Sequence, residues 1–388
     1  MAIELKSSRL VQSIPRSGIR EIFTLAETLE NVIHLEIGEP NFDTPPHVID
    51  AACSALRSGA TRYTSNAGIL PLREAIAARI SERTGRSVSP DRVIVANGAV
   101  GALYLAAVLA LERRDEVLIP DPCWPNYLGM FRLVGAEAVR YRQRPENGFL
   151  PDLGNLQELV SSRTKALLLN SPSNPTGSVI PMEKLSGLVE FAESNGLYVI
   201  SDEIYEDIVY EGEFASVLEC DYQSGTLCVS GVSKGYAMTG FRLGYIVVPD
   251  RLVDGSRAVI ESVAGCITTV SQHAAISALS GPQDGIRERL SAYRNKKQIV
   301  LDTVGDTGRL LGRLQGAFYA MIDVGERVGG SMQFAKDLLQ EKAVAVSPGI
   351  TFGADWDHTV RISYAVADEQ LRSGLKAMLE FLEPQGGN

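Results

Sequence analysis

Three short apolar runs, KALLLN (165–170), LYVIS (197–201) and TLCVS (226–230), each end in a dense polar turn: SPSNPTG (171–177), SDEIY (201–205) and GVSKGYAMTGFR (231–242). Apolar runs without polar alternation are what strands of a parallel sheet buried on both faces look like. Working outward, the same texture recurs in VIVA (93–96), EVLIP (116–120) and YIVVP (245–249). Amphipathic stretches such as PLREAIAARISERTG (71–85) and MEKLSGLVEFAESNG (182–196) lie between the runs. The alternation predicts an α/β fold with a mostly parallel sheet flanked by helices. In such folds ligands bind outside the carboxyl ends of the strands.

The texture changes after about residue 286. A long charged helix is predicted over Ile286–Thr307, followed by three candidate strands, FYAMIDV (318–324), VAVSP (344–348) and VRISYA (360–365). This reads as a smaller α+β unit. The N-terminal segment adds a helix in SGIREIFTLAETLE (17–30) and an extended piece in VIHLEIG (32–38). The expected division is a large domain over 46–286 and a small domain built from 1–45 with 287–388.

Composition narrows the function. The chain has 388 residues, 45% of them hydrophobic, with 37 basic residues against 47 acidic ones and a net charge of −10. Nucleic acid is therefore not an expected partner. The longest apolar run, Gly101 to Leu111, is far short of the roughly 18 residues of a membrane span. The start, MAIELKSSRL, lacks the layout of a secretory signal, so a cytoplasmic protein is expected. Five scattered cysteines and four separated histidines give neither a disulfide framework nor a metal-binding spacing, and no metal is expected. No G-x-S-x-G turn supports serine-hydrolase chemistry.

The residues at the strand ends are chemically specific. After VIVA, Asn97-Gly98-Ala99-Val100-Gly101 opens a helix, a turn that suits a phosphate or simply a tight connection. Trp124, between Pro122 and Pro125, offers a flat face to a ring or plugs a core. Asn170 and Asn174 cap a turn or donate to a ligand. Asp202 is a carboxylate at the end of a buried strand, which needs an arginine or a protonated ring nitrogen to offset its burial. Lys234, flanked by small residues, is either a surface lysine or a Schiff-base lysine, and Arg242 follows eight residues later. Together they supply a phosphate cradle, a stacking face, a buried carboxylate and a lysine beside an arginine. That set fits pyridoxal phosphate (PLP).

The segments NSPSNPTG, SDEIY and VSKGYAMTGFRLGY, with EIGEPNFDTP, RYTSNAGILPLREAIA, NGAVGAL and VRISYA, resemble the aspartate aminotransferase family of fold type I PLP enzymes. The resemblance lies with the bacterial and archaeal branch and spans about residues 17 to 380. It implies a PLP-dependent aminotransferase that moves an amino group from an amino acid to a 2-oxo acid by a ping-pong mechanism. It implies Lys234 as Schiff-base lysine and proton carrier, and Asp202 as partner of the ring nitrogen. Trp124 stacks on the ring, while Asn174 and Tyr205 bond its hydroxyl oxygen. The backbone of Ala99 and Val100, with Ser233 and Arg242, holds the phosphate. Tyr63 reaches the phosphate of a neighbouring subunit, so a homodimer is expected. Arg361 takes the substrate carboxylate, helped by Asn174 and the backbone of Gly38.

Relatives specific for dicarboxylates bring a basic side chain to the distal carboxylate. Here no Lys or Arg lies between Arg257 and Arg287, and Val100 stands where some relatives carry a lysine. Arg16 and Arg20, in PRSGIRE, are the substitutes to weigh against ordinary solvated helix-end charges. A broad, aromatic or neutral substrate is expected rather than aspartate alone, with Cys123 and Asn126 flanking the stacking Trp. The rival readings are a β-eliminating lyase on the same fold and a PLP-binding regulator without turnover. Lyase relatives tend toward N-P-H-N-P-x-G, whereas this chain has N-S-P-S-N-P-T-G. Regulators usually carry an added DNA-binding domain and lose the lysine.

Overall fold

The computed structural model describes residues 7–15 and 17–383. Its central feature is a seven-stranded sheet. The strands are β1 (Val93–Asn97), β2 (Glu116–Asp121), β3 (Glu137–Arg142), β4 (Thr164–Asn170), β5 (Tyr198–Asp202), β6 (Thr226–Gly231) and β7 (Leu243–Val247). Their spatial order is β1-β7-β6-β5-β4-β2-β3. All neighbours from β6 to β3 pair in parallel, whereas β7 runs antiparallel to both β1 and β6.

Both sheet faces are dry, which is why the strands read as unbroken apolar runs. Leu118, Leu167, Leu169, Val199 and Cys228 pack on one side with Ile76 and Leu188 of the flanking helices. Val117, Ala166, Leu168, Ile200 and Val229 face the other side, against Leu105 and Ala106 of the helix Gly98–Ala110. Strand β3 is the exception. Its sequence EAVRYR is mostly solvent-accessible at the sheet edge, so it carries charge and gave no apolar signal.

A four-stranded antiparallel sheet forms beside this unit, in the order Ser347–Pro348, Thr359–Ser363, Tyr319–Asp323, Leu310–Leu311. VAVSP, expected as one strand, divides between two sheets. Val344–Ala345 pairs in parallel with Ile33–His34, and Ser347–Pro348 joins the antiparallel sheet. Leu310–Leu311 was not anticipated, because two residues carry no pattern. The expected long helix runs over Asp284–Val304, and the N-terminal one over Gly18–Ala26. Helices Gly330–Lys342 and Asp368–Leu382 complete this part. Its core joins Ile22, Leu35, Phe318, Phe334, Ile362 and Leu371 to Ile204, Tyr205 and Ile208, which follow β5. The two sheets therefore meet around the carboxyl end of β5. Among the described residues no helix is long and apolar enough to cross a membrane.

Candidate active site

The carboxyl ends of the parallel strands open into a cavity of about 590 Å³. Its wall includes Gly38, Ala99, Val100, Trp124, Asn170, Asn174, Asp202, Tyr205, Ser233, Lys234, Arg242 and Arg361, so nearly every expected site residue converges there. Tyr63 does not: it is 92% exposed and absent from the wall. Cys123 is buried behind the wall, whereas Asn126 belongs to it. Arg20 also lines the cavity, and Arg16 lies outside the described residues.

One end of the cavity is built for an anion. The helix Gly98–Ala110 begins immediately after β1, directing its first N–H groups and the positive end of its dipole outward. Gly98 has φ +69°, and a Cβ there would collide with the Arg242 guanidinium. A Cβ on Gly244 would strike the backbone of Gly98 and Ala99, so the glycine lets β7 press against the helix start. Arg242 itself has φ +52°, donates to the Thr239 carbonyl at 2.8 Å, and pairs with no carboxylate among the described residues. Ser233 is buried and lines the same cavity. Helix dipole, free guanidinium and hydroxyl together suit a phosphate.

Lys234 sits on the turn after β6, part-buried, with its ammonium donating to the Gly38 carbonyl. It lies 5.8 Å from the ring centres of both Tyr205 and Phe318. Burial, reinforced by the nearby charges of Arg361 and Arg242 and opposed by Glu39 and Asp202, lowers its pKa to about 8. A lysine with this environment is partly neutral near neutrality and can act as nucleophile or base.

Asp202 closes β5 and is buried. Its carboxylate accepts from Tyr127 Oη at 2.6 Å and from the Ile204 N–H at 3.2 Å. Burial raises its pKa despite these bonds and the pull of Lys234. No arginine or lysine pairs with it among the described residues. A buried carboxylate with that deficit is suited to a protonated ring nitrogen. Trp124 lines the same cavity, edge-on to Tyr127 with ring centres 5.3 Å apart. The residues present therefore fit PLP at its ring nitrogen, its ring face, its aldehyde and its phosphate.

Arg361 is 2% exposed and lies on one of the two inner strands of the four-stranded sheet. It donates to Asn174 Oδ1 at 3.0 Å, to Ser347 Oγ at 2.9 Å, and to the Glu36 carbonyl. Its Nε has no partner. The guanidinium rests 4.4 Å above the Tyr319 ring centre and 5.1 Å from that of Phe352. A permanent cation held by neutral groups, with a donor left over, is a site for an incoming carboxylate.

Sequence reasoning missed Tyr127 and Tyr319. Tyr319 Oη is 2.7 Å from Tyr205 Oη, and a Cβ on Gly38 would collide with it. Both tyrosines sit at apolar positions of a helix and a strand, where nothing local separates a polar tip in a cavity from ordinary core packing.

The chain's similarities agree with this geometry. The family model "Aminotransferase class I and II" matches residues 30–378. The chain belongs to the class I and II aminotransferase family. A putative aminotransferase of Bacillus subtilis is 37% identical over 97% of this chain and 98% of its own length. The solved aspartate aminotransferase of Thermotoga maritima superposes with TM-score 0.92 at 35% identity, covering 97% of this chain and 100% of that one. A Methanococcus jannaschii structure, described as similar in its active site to kynurenine aminotransferases, gives TM-score 0.90 at 36% identity over 97% and 100% of the two chains. This aminotransferase thus has the type I fold, and its family uses PLP to move amino groups between amino and oxo acids.

Proposed function

We propose that this aminotransferase binds PLP through Lys234, Asp202, Asn174, Tyr205, Ser233, Arg242 and the Gly98–Val100 turn, and that it prefers apolar or aromatic amino acids to aspartate. The observation that carries the reading is Arg361, a buried cation with a spare donor, facing the same cavity as Lys234. Bound there, PLP supplies an aldehyde carbon that takes the amino group and a ring that accepts the electron pair left by the departing α-proton.

The chain's own groups do the rest. Arg361 and Asn174 fix the substrate carboxylate, which orients the α-carbon toward Lys234. Lys234 Nζ, its proton affinity reduced by burial, would take up the α-proton and later give it back. Asp202, held by Tyr127, keeps a proton on the ring nitrogen. Tyr205 keeps its own proton, because burial raises its pKa well above that of a free phenol, and so it donates to the ring hydroxyl oxygen. Trp124, on the cavity wall, would hold the ring by its face.

Substrate preference follows from the remaining wall. Ile19, Phe23, Ile37, Val100 and Leu103 are apolar, and Arg20 is the one cation of this stretch among the described residues. Arg20 lies with its guanidinium 5.5 Å from the Phe23 ring centre. It is the candidate for a distal carboxylate when an acidic co-substrate enters. Residues 46–286 are assigned to the cofactor-holding unit. Residues 1–45 with 287–388 form the unit that carries Arg361, Gly38 and Arg20. Tyr63 is assigned to the cavity of a second copy in a homodimer.

The test is the visible absorbance of the PLP-loaded protein on mixing with single amino acids. Bleaching by phenylalanine, tyrosine or leucine with release of the matching 2-oxo acid is expected, and slower bleaching by aspartate. Release of ammonia instead would replace transamination by elimination. Lys234→Ala should lower the rate at least ~100-fold, and an unchanged rate would remove Lys234 from its role.

A further inference from the structure

The guanidinium of Arg361 leans on a ring whose own position is set from the other sheet. Phe352 is fully buried, and its ring centre lies 5.1 Å from that guanidinium. It follows the short turn Gly349–Thr351, just after the strand Ser347–Pro348. Its carbonyl oxygen, however, is claimed by the central sheet. It accepts from the Cys123 N–H at 3.1 Å and from Arg140 Nη1 at 2.9 Å. The same nitrogen of Arg140, on the edge strand β3, donates at 2.8 Å to Asp121 Oδ1 at the end of β2. The chain presses close on this pair, since a Cβ on Gly353 would overlap the Asp121 carboxylate.

Neither Arg140 nor Asp121 belongs to the cavity wall. Their side chains are 27% and 13% accessible. An ion pair in contact with water contributes little by itself. The bond to the Phe352 carbonyl does something else: it joins residues 212 positions apart, and it ends one residue's width from the Arg361 guanidinium.

We propose that Arg140 is a positioning residue for the substrate carboxylate, holding the Phe352 ring against Arg361 through the Phe352 carbonyl. This rests on the assignment of Arg361 to that carboxylate. The rings of Tyr319 and Phe352 both lie against the guanidinium, limiting its rotation and keeping water from it. An incoming anion therefore meets a cation that is already oriented and poorly screened. Without Arg140, the Phe352 carbonyl keeps only the Cys123 bond, and the ring gains freedom to tip away. The guanidinium must then be ordered anew at each binding event. That cost falls on the ligand's carboxylate and on no other part of the ligand.

The experiment measures, by calorimetry, the binding of 3-phenylpropionate to the PLP-loaded enzyme. This monocarboxylate has no amino group to react. In Arg140→Met its dissociation constant should rise about 3- to 10-fold, the scale of one hydrogen bond. The absorbance change caused by 2-phenylethylamine, which has no carboxylate, should keep its midpoint, and PLP affinity should hold. A general loosening of the fold would move all three, and that result would overturn the proposal.

Asp121→Asn/Arg140→Met removes the charge that Arg140→Met leaves unpaired, and it carries the test where the single variant does not fold. If Arg140 serves only as counter-ion to Asp121, the double variant regains wild-type affinity and the proposal fails. A positioning role leaves its affinity weakened. Phe352→Leu should weaken 3-phenylpropionate likewise, and adding Arg140→Met to it should cost nothing further. Additive losses would show that Arg140 does not act through the ring. Arg361→Lys separates the two levels. If 3-phenylpropionate binds that variant as it binds the wild type, the carboxylate assignment itself fails. If binding is weakened there while Arg140→Met matches the wild type, only the positioning role fails.

Discussion

Lys234 and Asp202 are displaced from their ordinary titration ranges by burial, one downward and one upward. The lysine makes a direct prediction. Only its neutral amine can capture PLP, so the capture rate of the cofactor-free protein should rise about tenfold per pH unit below pH 8 and level off above it. Stopped-flow absorbance at several pH values checks this; a plateau near pH 10.5 would mean that burial leaves the amine unperturbed. Asp202 depends on Tyr127, whose hydroxyl is its one side-chain donor. Tyr127→Phe removes that bond and leaves the carboxylate less supported, so PLP affinity should fall by about 5- to 10-fold. Equilibrium dialysis measures the loss, and an unchanged affinity would show that the phenol only packs. Roles of this kind were unevenly legible in the sequence. Asp202 and Lys234 stood out because a charge at the end of an apolar run needs a reason. Tyr127 and Tyr319 did not, because an aromatic residue at an apolar position already has one.

Helix Gly98–Ala110 and strand β7 form the anion end of the cavity by close approach. Gly244 leaves the space into which the turn at Gly98 and Ala99 fits. Gly244→Ala should force strand and helix start apart, at a cost of about 1–3 kcal/mol in stability, as for other overpacked sites. It should weaken PLP binding together with Arg242, whereas an alanine on the open Gly240 should do neither. Chemical denaturation with parallel cofactor titration separates the two effects. The buried strands were legible because both their faces are dry, which produces unbroken apolar runs. β3 was missed for the opposite reason: Glu137, Arg140 and Arg142 occupy a partly wet edge. VAVSP was misjudged as a single strand because a run of residues can change sheets at one position without any sign in its hydropathy.

At the scale of the molecule, the cavity draws on both sheets. The central sheet contributes Lys234, Asp202 and the helix start, and the antiparallel sheet contributes Arg361 and Tyr319. The change of texture near residue 286 signalled the antiparallel sheet that follows it, but the joint around Ile204, Tyr205 and Ile208 left no such signal. Contacts between residues more than a hundred positions apart leave no local trace. Tyr63 makes the prediction at this scale. A tyrosine 92% exposed on one copy is expected to be covered in a dimer. Sedimentation should show a dimer, and Tyr63→Phe should lower PLP affinity a few-fold without changing that state. A protein that sediments as a monomer yet retains full PLP affinity would place Tyr63 outside the site.

The reversed direction of β7 has a consequence for how the chain encodes its site. Because β7 runs back beside β6, its first residue lies at the same rim as the last residue of β6, and an eleven-residue connection, 232–242, spans the gap. A strand running the other way would have started about 17 Å off, at five residues of about 3.3 Å each, and would have needed a crossover of a dozen or more residues. The Lys234 amine and the Arg242 guanidinium would then have been written in separate paragraphs of the sequence. The U-turn writes them as one word, so a single local deletion or duplication in this connection would move both groups together.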